Sequence, residues 1–278
     1  MSVSVALMQV SVSDEEPVAD RIDRVLSWTR DVATDHDLVV LPELWPIGAF
    51  AVELVVPHAP PLDGSLTRSL AEVAAETGTW LFGGSFPEVV TGPDGSVQHF
   101  NTQVVFGPDG GRVGTYRKVH LFGFNGGETT VMSGGALEPQ VVSAPLGVCG
   151  LATCYDLRFP EQFRALLDAG AEAFVLPAGW PERRIAHWQV LTRARAVEDQ
   201  AYVLACNAVG THAGVPMGGV SMVIDPLGEV LAEGSPTDEQ IISVDLDPER
   251  VSAWRGAFPA LEDRRYRAPR EAREEAHP

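Results

Sequence analysis

The sequence predicts a layered α/β protein. Two stretches of the chain alternate apolar, strand-like runs with segments of helical periodicity, and a tight hairpin lies between them. Mixed strands with helices distributed among them would form an α/β/β/α sandwich of two mixed sheets if the helices covered only the outer face of each sheet. The pattern alone leaves the number of layers open.

The first stretch reads as β-α-β-α-β. Its strands are buried apolar runs, and its helices carry apolar residues at helical spacing between a proline or serine start and a glycine stop. The predicted elements are a strand at 3–10, a helix from Pro17, a strand at 38–41, a helix from Ser65 to Gly78 and a strand at 80–84.

Antiparallel pairing is predicted next, because a PDGG turn separates strand-like segments at 97–106 and 112–122. The alternation then returns. Its predicted elements are strands at 147–154, 173–179 and 201–209, helices at 160–170 and 183–199, a hairpin at 219–233 and a strand at 240–246.

The domain organisation follows from a change in composition near Gly256. Residues 1–255 read as a single domain, whereas 256–278 are rich in Arg, Glu and Pro and read as a surface tail or an interface arm. No internal repeat or low-complexity linker divides the chain.

Composition excludes several classes of function. The chain has 278 residues and a formal net charge of −18, which disfavours nucleic acid and anionic membranes as partners. No window reaches the apolar length of a membrane span, and the N-terminus lacks a basic leader, so we expect a cytoplasmic protein. The three cysteines and seven histidines show no metal-ligand spacing, so we expect neither metal nor cofactor.

Cys154 is a candidate nucleophile because it stands where an apolar strand ends and a polar turn precedes a helix. Ligands in α/β folds bind at the carboxyl ends of strands. The alternative is a buried cysteine that only packs, which is the commoner fate of a free cysteine. Cys149 and Cys206 lie inside strand-like runs, so for them the packing interpretation is preferred.

Two charged residues are further candidates. Glu43 directly follows the apolar run 38–42, where it could act as a base. The alternative is a carboxylate that only caps a helix or lies in a loop, which is the commoner role of such a residue when it is considered alone. Lys118 lies in a predicted strand whose alternation places Tyr116, Lys118 and His120 on one face. An ammonium there could stabilise an oxyanion, but strand lysines are usually solvated.

Taken together, three motifs resemble the signatures of the nitrilase superfamily of carbon-nitrogen hydrolases, which surround a Glu, a Lys and a Cys in that chain order. They are LPELWPIG at 41–48, YRKVHLF at 116–122 and CYDLRFPE at 154–161. The resemblance covers about 250 residues by inspection. It implies a four-layer α/β/β/α sandwich that commonly forms a homodimer or higher assembly.

The resemblance also implies roles for individual residues. Glu43 would be the general base, Cys154 the nucleophile that forms a thioester, and Lys118 with the Tyr155 backbone N–H the oxyanion donors. Glu128 matches a second family glutamate that would hold Lys118 and the water. Solvated loop glutamates are common, so that assignment depends on the motif.

The expected substrate is a small aliphatic carboxamide. CYDLRFPE resembles the omega-amidase branch, whose members act on monoamides of short dicarboxylates, especially 2-oxoglutaramate. Such a substrate needs a cation for its free carboxylate, and Arg158, Arg183 and Arg184 are candidates. Trp180 would line the pocket or only pack the core.

The pocket motifs depart from that branch in two places. Gly123 stands where an Asp is usual, and Ala49-Phe50 follows Gly48 where an aromatic residue commonly comes directly. Open alternatives are therefore an N-carbamoyl or nitrile hydrolase of the same superfamily, a thiol-dependent acyltransferase and a catalytically silent binding module. A metal-dependent hydrolase is a further alternative, of a different class.

Overall fold

A computed structural model describes residues 2–124 and 126–266. Its two main β-sheets have six strands each. In chain order, the strands are β1 (Val3–Gln9), β2 (Leu38–Val40), β3 (Trp80–Thr91), β4 (Val97–Phe106), β5 (Arg112–Arg117), β6 (Val141–Ala144), β7 (Gly147–Leu151), β8 (Ala173–Ala178), β9 (Tyr202–Asn207), β10 (Thr211–His212), β11 (Val215–Pro216), β12 (Met222–Ile224), β13 (Val230–Glu233) and β14 (Gln240–Leu246).

Five α-helices accompany these strands in the described part of the chain. They are α1 (Val18–Ala33), α2 (Ser65–Thr77), α3 (Pro160–Asp168), α4 (Ile185–Asp199) and α5 (Arg250–Ala257). Among the residues described, no helix combines the length and the apolar character that crossing a bilayer would require.

The two sheets share one topology. The first has the order β14-β1-β2-β3-β4-β5, and the second has the order β6-β7-β8-β9-β12-β13. In each sheet the second, third and fourth strands are mutually parallel, and the remaining pairings are antiparallel. In each sheet the carboxyl ends of the parallel strands therefore lie on the same side. Ligand sites of α/β proteins form at such strand ends.

Three apolar clusters establish the layers. Side chains from both sheets, such as Leu7 of β1 and Val175 of β8, pack together in one central cluster. A second cluster joins the outer face of the first sheet to α1 and α2, and a third joins the outer face of the second sheet to α3 and α4. The α/β/β/α sandwich of two mixed sheets is confirmed. Because the central strands are covered on both faces, they read as unbroken apolar runs.

The local predictions were mostly confirmed, with differences at element ends. The strand predicted over 112–122 stops at Arg117, so Lys118 lies just beyond the strand. Tyr116 and Lys118, predicted on one face, are both buried, whereas His120 is half-buried. Strand β3 runs on to Thr91 across Gly83 and Gly84. The short strand β6 and the helix α5 have weak apolar patterns and were not predicted.

The predicted C-terminal tail, 256–278, is described only to residue 266. Its first two residues complete α5, and a short 3₁₀ turn follows at Ala260–Asp263. Arg255 in the last turn of α5 donates to the backbone carbonyls of Ala171 and Asp199. The rest of the predicted tail, 267–278, lies outside the described residues.

Candidate active site

The candidate site is a cleft whose residues follow the ends of strands in both sheets. Glu43 comes after β2, Lys118 after β5 and Cys154 after β7, and all three line the cleft with Glu128. The empty space among the lining side chains, including space open to solvent, is about 370 Å³. Its other lining residues are Ala49, Phe50, Phe122, Tyr155, Arg158, Gly179, Trp180, Pro181 and Arg184.

Lys118 is held between two carboxylates. Its Nζ lies 2.7 Å from Glu43 Oε1 and 2.6 Å from Glu128 Oε2, and all three side chains are buried. The second oxygen of Glu43 accepts a hydrogen bond from the Gly179 backbone N–H at 2.8 Å. Phe122 N–H donates to Glu128 Oε2 at 2.8 Å. These contacts fix the position of the Lys118 ammonium in the cleft.

Asn101, which was not predicted from the sequence, forms hydrogen bonds with both carboxylates. Its side-chain Nδ2 lies 2.9 Å from Glu43 Oε1 and 2.7 Å from Glu128 Oε1, and its backbone carbonyl accepts from the Lys118 N–H at 2.9 Å. Asn101 therefore orients both carboxylates toward the ammonium. Strand β4 (VQHFNTQVVF) is half polar and carries three amide side chains, so its sequence does not single out Asn101.

The backbone beside Glu43 has an unusual shape. Leu44 adopts a positive φ of 43°, and its N–H donates to Ser85 Oγ at 2.9 Å. Gly84 of β3, with φ 64°, passes so close to the Pro42 carbonyl that a side chain there would clash. The bulge of β3 at this glycine thus makes room for the turn that aims Glu43 into the cleft.

Cys154 occupies a strained turn. Its φ is +46°, a conformation rare for residues with a side chain, and such strain often occurs at functional sites. Burial raises the pKa of the thiol well above its usual value, and the Glu43 carboxylate raises it further, while Lys118 opposes that shift. The resting sulfur is therefore protonated, and a base must remove its proton before it can attack.

The buried site contains one ammonium, of Lys118, and two carboxylates, of Glu43 and Glu128. Burial disfavours the ammonium of Lys118, but the carboxylates of Glu128 and Glu43 outweigh it and raise the pKa of Lys118 well above its usual value. Burial also raises the pKa of Glu128, with Lys118 acting against the shift and the charge of Glu43 adding to it. One ammonium facing two carboxylates gives a site that keeps Lys118 charged.

Asp156, two residues after Cys154, is a second residue that sequence reasoning missed. It is fully buried and accepts hydrogen bonds from the Thr153 N–H, the His120 N–H and the Tyr116 hydroxyl at 2.8, 3.1 and 2.7 Å. These donors belong to the turn of Cys154 and to the segment around Lys118. Asp156 therefore ties the nucleophile's turn to the lysine's strand end.

Aromatic rings and two guanidinium groups form the outer wall. The Tyr155 ring packs edge-on against Phe122 at 5.3 Å. Trp180 is 2% exposed. It lines the cleft and also packs in the core, so both of the predicted roles apply to it. The Arg158 guanidinium lies 4.8 Å from the Trp180 ring centroid, and the Arg184 guanidinium lies 5.2 Å from that of Phe122.

The remaining sequence candidates lie elsewhere. Arg183 is exposed and does not line the cleft. Cys149 and Cys206 are fully buried in the central cluster, as predicted, and burial raises the pKa of Cys149 to about 12. Gly123 packs on the Thr129 side chain. Among the described residues, no group of three or more His, Cys, Asp or Glu side chains is arranged to hold a metal.

Known proteins are similar to this chain in both sequence and structure. The profile of the carbon-nitrogen hydrolase family matches residues 4–256. A 2-oxoglutaramate amidase of Paenarthrobacter nicotinovorans is 39% identical over 95% of this chain and 90% of its own. A human omega-amidase is 34% identical over 95% of both chains.

Solved structures are similar over the same span. Nit3 of Saccharomyces cerevisiae, described as a member of branch 10 of the nitrilase superfamily, superposes with a TM-score of 0.83 at 30% identity. That match covers 95% of this chain and 97% of the yeast chain. Sequence and fold therefore point to the same group of proteins.

Proposed function

Because this chain belongs to the carbon-nitrogen hydrolase family, we propose that it is an amidase that hydrolyses the monoamide of a short dicarboxylate, 2-oxoglutaramate or a close analogue, through Cys154. The family membership inferred from the three sequence motifs is confirmed, and with it a hydrolase acting on carbon-nitrogen bonds. The substrate and the role of each residue are the proposal.

The observation that carries the proposal is the convergence of Glu43, Lys118 and Cys154 on one cleft. A thiol can supply the nucleophile, a carboxylate the base and an ammonium the oxyanion stabilisation of amide cleavage by covalent catalysis. The segments that bear them are far apart in the sequence, and Glu43 and Lys118 meet at 2.7 Å in a buried position. Such a buried charge pair is costly unless it is well satisfied.

In the first half of the reaction, Glu43 takes the proton from the Cys154 thiol as the sulfur attacks the carbonyl carbon of the amide. The carbonyl oxygen becomes an oxyanion, which Lys118 and the Tyr155 backbone N–H stabilise. The tetrahedral species collapses, the carbon-nitrogen bond breaks, and the proton held by Glu43 passes to the leaving nitrogen. Ammonia departs and a thioester on Cys154 remains.

In the second half, water attacks the thioester carbon with Glu43 again as the base. The carbon-sulfur bond breaks, the carboxylic acid leaves, and the thiol of Cys154 regains its proton. Glu128 holds Lys118 in place through its 2.6 Å contact throughout both halves. The net reaction consumes one water and yields a carboxylate and ammonia.

The preference for an anionic substrate comes from Arg158 and Arg184. Both line the cleft of a chain whose formal net charge is −18. Burial, and to a smaller extent the charges of Arg183 and Arg158, lower the pKa of Arg184. In the described part of the chain, neither Arg158 nor Arg184 forms an ion pair with a carboxylate. A carboxylate of the substrate would relieve their repulsion.

Ammonia release from a panel of amides tests the proposal. We expect turnover of monoamides of four- and five-carbon dicarboxylates, weaker turnover of neutral amides, and none after Cys154→Ala. Cys149→Ala, a change in the strand that precedes Cys154 and away from the cleft, is the matched control and should stay active. Mass spectrometry should find an acyl group on the peptide bearing Cys154 and on no other.

The panel also separates the alternative activities. Nitriles and N-carbamoyl compounds turned over faster than the monoamides would favour those hydrolases. Hydroxamate formation with hydroxylamine and no net hydrolysis would favour acyl transfer, and inertness toward every compound would favour a binding module. Ammonia release that disappears on chelation would favour a metal-dependent hydrolase.

We also propose that the chain forms a homodimer through its outer helices. Helix α4 exposes Val190 and Val197, at 61% and 53%, and Phe258 just after α5 is 55% exposed. Val190 and Val197 lie seven residues, about two turns, apart on α4, and Val197 and Phe258 line one surface groove. An apolar face of this kind favours contact with a second copy. Light scattering should give twice the 29.8 kDa mass of one chain, and a Val190→Glu, Val197→Glu variant should give the single mass.

A cytosolic location is proposed on the state of the cysteines. Cys149, Cys154 and Cys206 are all free thiols, and none forms a disulfide with another. Thiols persist in reducing compartments. Cell fractionation should recover the protein with a cytosolic marker.

A further inference from the structure

We infer that His212 is a positioning residue that holds the Phe50 wall of the cleft and thereby sets which acyl chains the enzyme accepts. The inference rests on the proposed function for its substrates, but it stands on contacts that the catalytic groups do not share. His212 is not among the cleft-lining residues. It lies behind the segment that carries Ala49 and Phe50.

One hydrogen bond connects His212 to that segment. The Phe50 backbone N–H donates to His212 Nε2 at 3.2 Å, and His212 is 1% exposed. An N–H can only donate, so Nε2 must carry a lone pair and the ring proton must sit on Nδ1. In the described part of the chain, Nδ1 has no hydrogen-bond partner. Among the described residues, the hydrogen bond from the Phe50 N–H to Nε2 is therefore the one that orients the ring.

Close packing reinforces this contact. Gly48 has a φ of 93°, and a Cβ added to it would lie 2.5 Å from His212 Cδ2. The imidazole thus lies directly against the backbone two residues before Phe50. The departure at 48–50 noted in the sequence, a Gly followed by Ala and Phe, is the segment that His212 supports.

The ring stays neutral in this setting. Burial lowers the pKa of His212 to about 4. The charged groups near the ring are Asp14, Arg21 and Glu43, and each affects this pKa less than burial does. Asp14 accepts from the Ala213 N–H at 2.9 Å. Arg21 donates to the Pro46 carbonyl at 3.0 Å and so fixes the start of the same segment. A neutral imidazole keeps its acceptor throughout the neutral pH range.

Phe50 carries the effect into the cleft. Its ring packs edge-on against Phe122 with centroids 5.8 Å apart, and both rings line the cleft. Loss of the Nε2 acceptor would leave the Phe50 N–H without a partner in a partly buried position. The segment would then move to find one, and the ring would move with it. Reactive atoms at Cys154 would not be touched.

The test compares two variants at this position. His212→Leu removes the acceptor, whereas His212→Gln places an amide oxygen near the position of Nε2. For five-carbon monoamides we expect KM to rise about tenfold in His212→Leu, with kcat within about threefold of the native enzyme. The ratio of turnover between four- and five-carbon substrates should change as well. In His212→Gln, KM and this ratio should stay close to the native values.

A second readout needs no turnover. Alkylation of Cys154 by small iodoacetamide and by bulky N-phenylmaleimide, followed by mass spectrometry, reports the shape of the cleft. We expect the ratio of the two rates to change in His212→Leu and to be restored in His212→Gln. Native-like ratios in both variants, or equal losses of kcat and of both alkylation rates, would overturn the inference. Absence of any amide turnover by the native enzyme would instead count against the proposed function, and the alkylation ratio would still decide the role of His212.

Discussion

Lys118 and Glu43 form a fully buried ion pair, with Nζ and Oε1 2.7 Å apart and each side chain 1% exposed. Breaking such a pair by removing one partner typically costs about 3–5 kcal/mol, because the other charge stays buried without compensation. Here a second carboxylate, Glu128, shares the ammonium. The pair is therefore better explained by the chemistry of the cleft than by stability alone.

Replacement of Glu43 by Gln separates its two effects on Cys154. The Glu43 carboxylate raises the pKa of the thiol, so the thiolate should form at lower pH in Glu43→Gln. The same change removes the base, so kcat should fall by about 10²–10⁴. Thiolate absorbance against pH and ammonia release measure the two quantities. Glu182→Gln, an exposed change, is the control, and a Glu43→Gln enzyme with more than a tenth of the native kcat would contradict the base assignment.

Asp156→Asn should disorganise the site without touching substrate. The carboxylate would lose acceptor capacity for two backbone N–H groups and the Tyr116 hydroxyl, so we expect a loss of about 2–4 kcal/mol in the free energy of unfolding. Burial and Asp156 raise the pKa of Tyr116, which keeps the phenol a donor.

Tyr116→Phe is the comparison for this change, because it removes only one of the bonds to Asp156. It also removes the acceptor of the Val119 N–H and of Gln162 Nε2, so it should cost about 1–3 kcal/mol. Urea unfolding and steady-state kinetics measure both variants. The kcat of Asp156→Asn should fall further than that of Tyr116→Phe. Equal activity in the two would exclude a link through Asp156 between the Cys154 turn and the Lys118 segment.

Arg158→Met and Arg184→Met test the recognition of the free carboxylate. A lost charge-assisted contact should raise KM for an anionic monoamide about 10- to 100-fold. Neutral amides of equal length should keep their KM, because they have no group for either guanidinium. Arg183→Met is the control, since Arg183 is exposed and outside the cleft. Equal changes for charged and neutral amides would mean that these arginines only shape the cleft.

His212 should also make stability depend on pH. Its pKa is about 4 in the folded chain, against an ordinary 6.5. Between these values the unfolded chain binds a proton that the folded chain does not, so folding loses stability as pH falls from 6.5 to 4. The full effect is at most about 3 kcal/mol. Urea unfolding of the native protein and of His212→Gln should diverge over this window, and parallel curves would contradict the shift.

The fold was predictable because its signals are local. Apolar runs bounded by turns marked the parallel strands, and Gly78, at φ 70°, ends α2 where the sequence placed the end. Elements with weaker patterns, such as β6 and α5, were missed, since edge strands and short helices depend more on their neighbours than on their own periodicity.

The residues of the candidate site were also predicted only in part. Glu43 and Cys154 were found because each follows an unbroken apolar run. Asn101, Asp156 and His212 were missed because a buried polar residue reveals its partners only when distant segments have packed around it. Lys118 was found by its motif, and it is buried like Tyr116, although the strand predicted to carry it ends one residue earlier, at Arg117.

By itself, the sequence determined most of the strands and helices, the family and the reactive residue types, because apolar period and motif chemistry are properties of neighbouring residues. The tertiary structure decided which carboxylates share Lys118, what closes the cleft and which arginines face it. Those relations join segments separated by as many as 162 residues, as between Phe50 and His212. No local pattern records them, since they arise only when two sheets pack face to face and bring their strand ends to one edge.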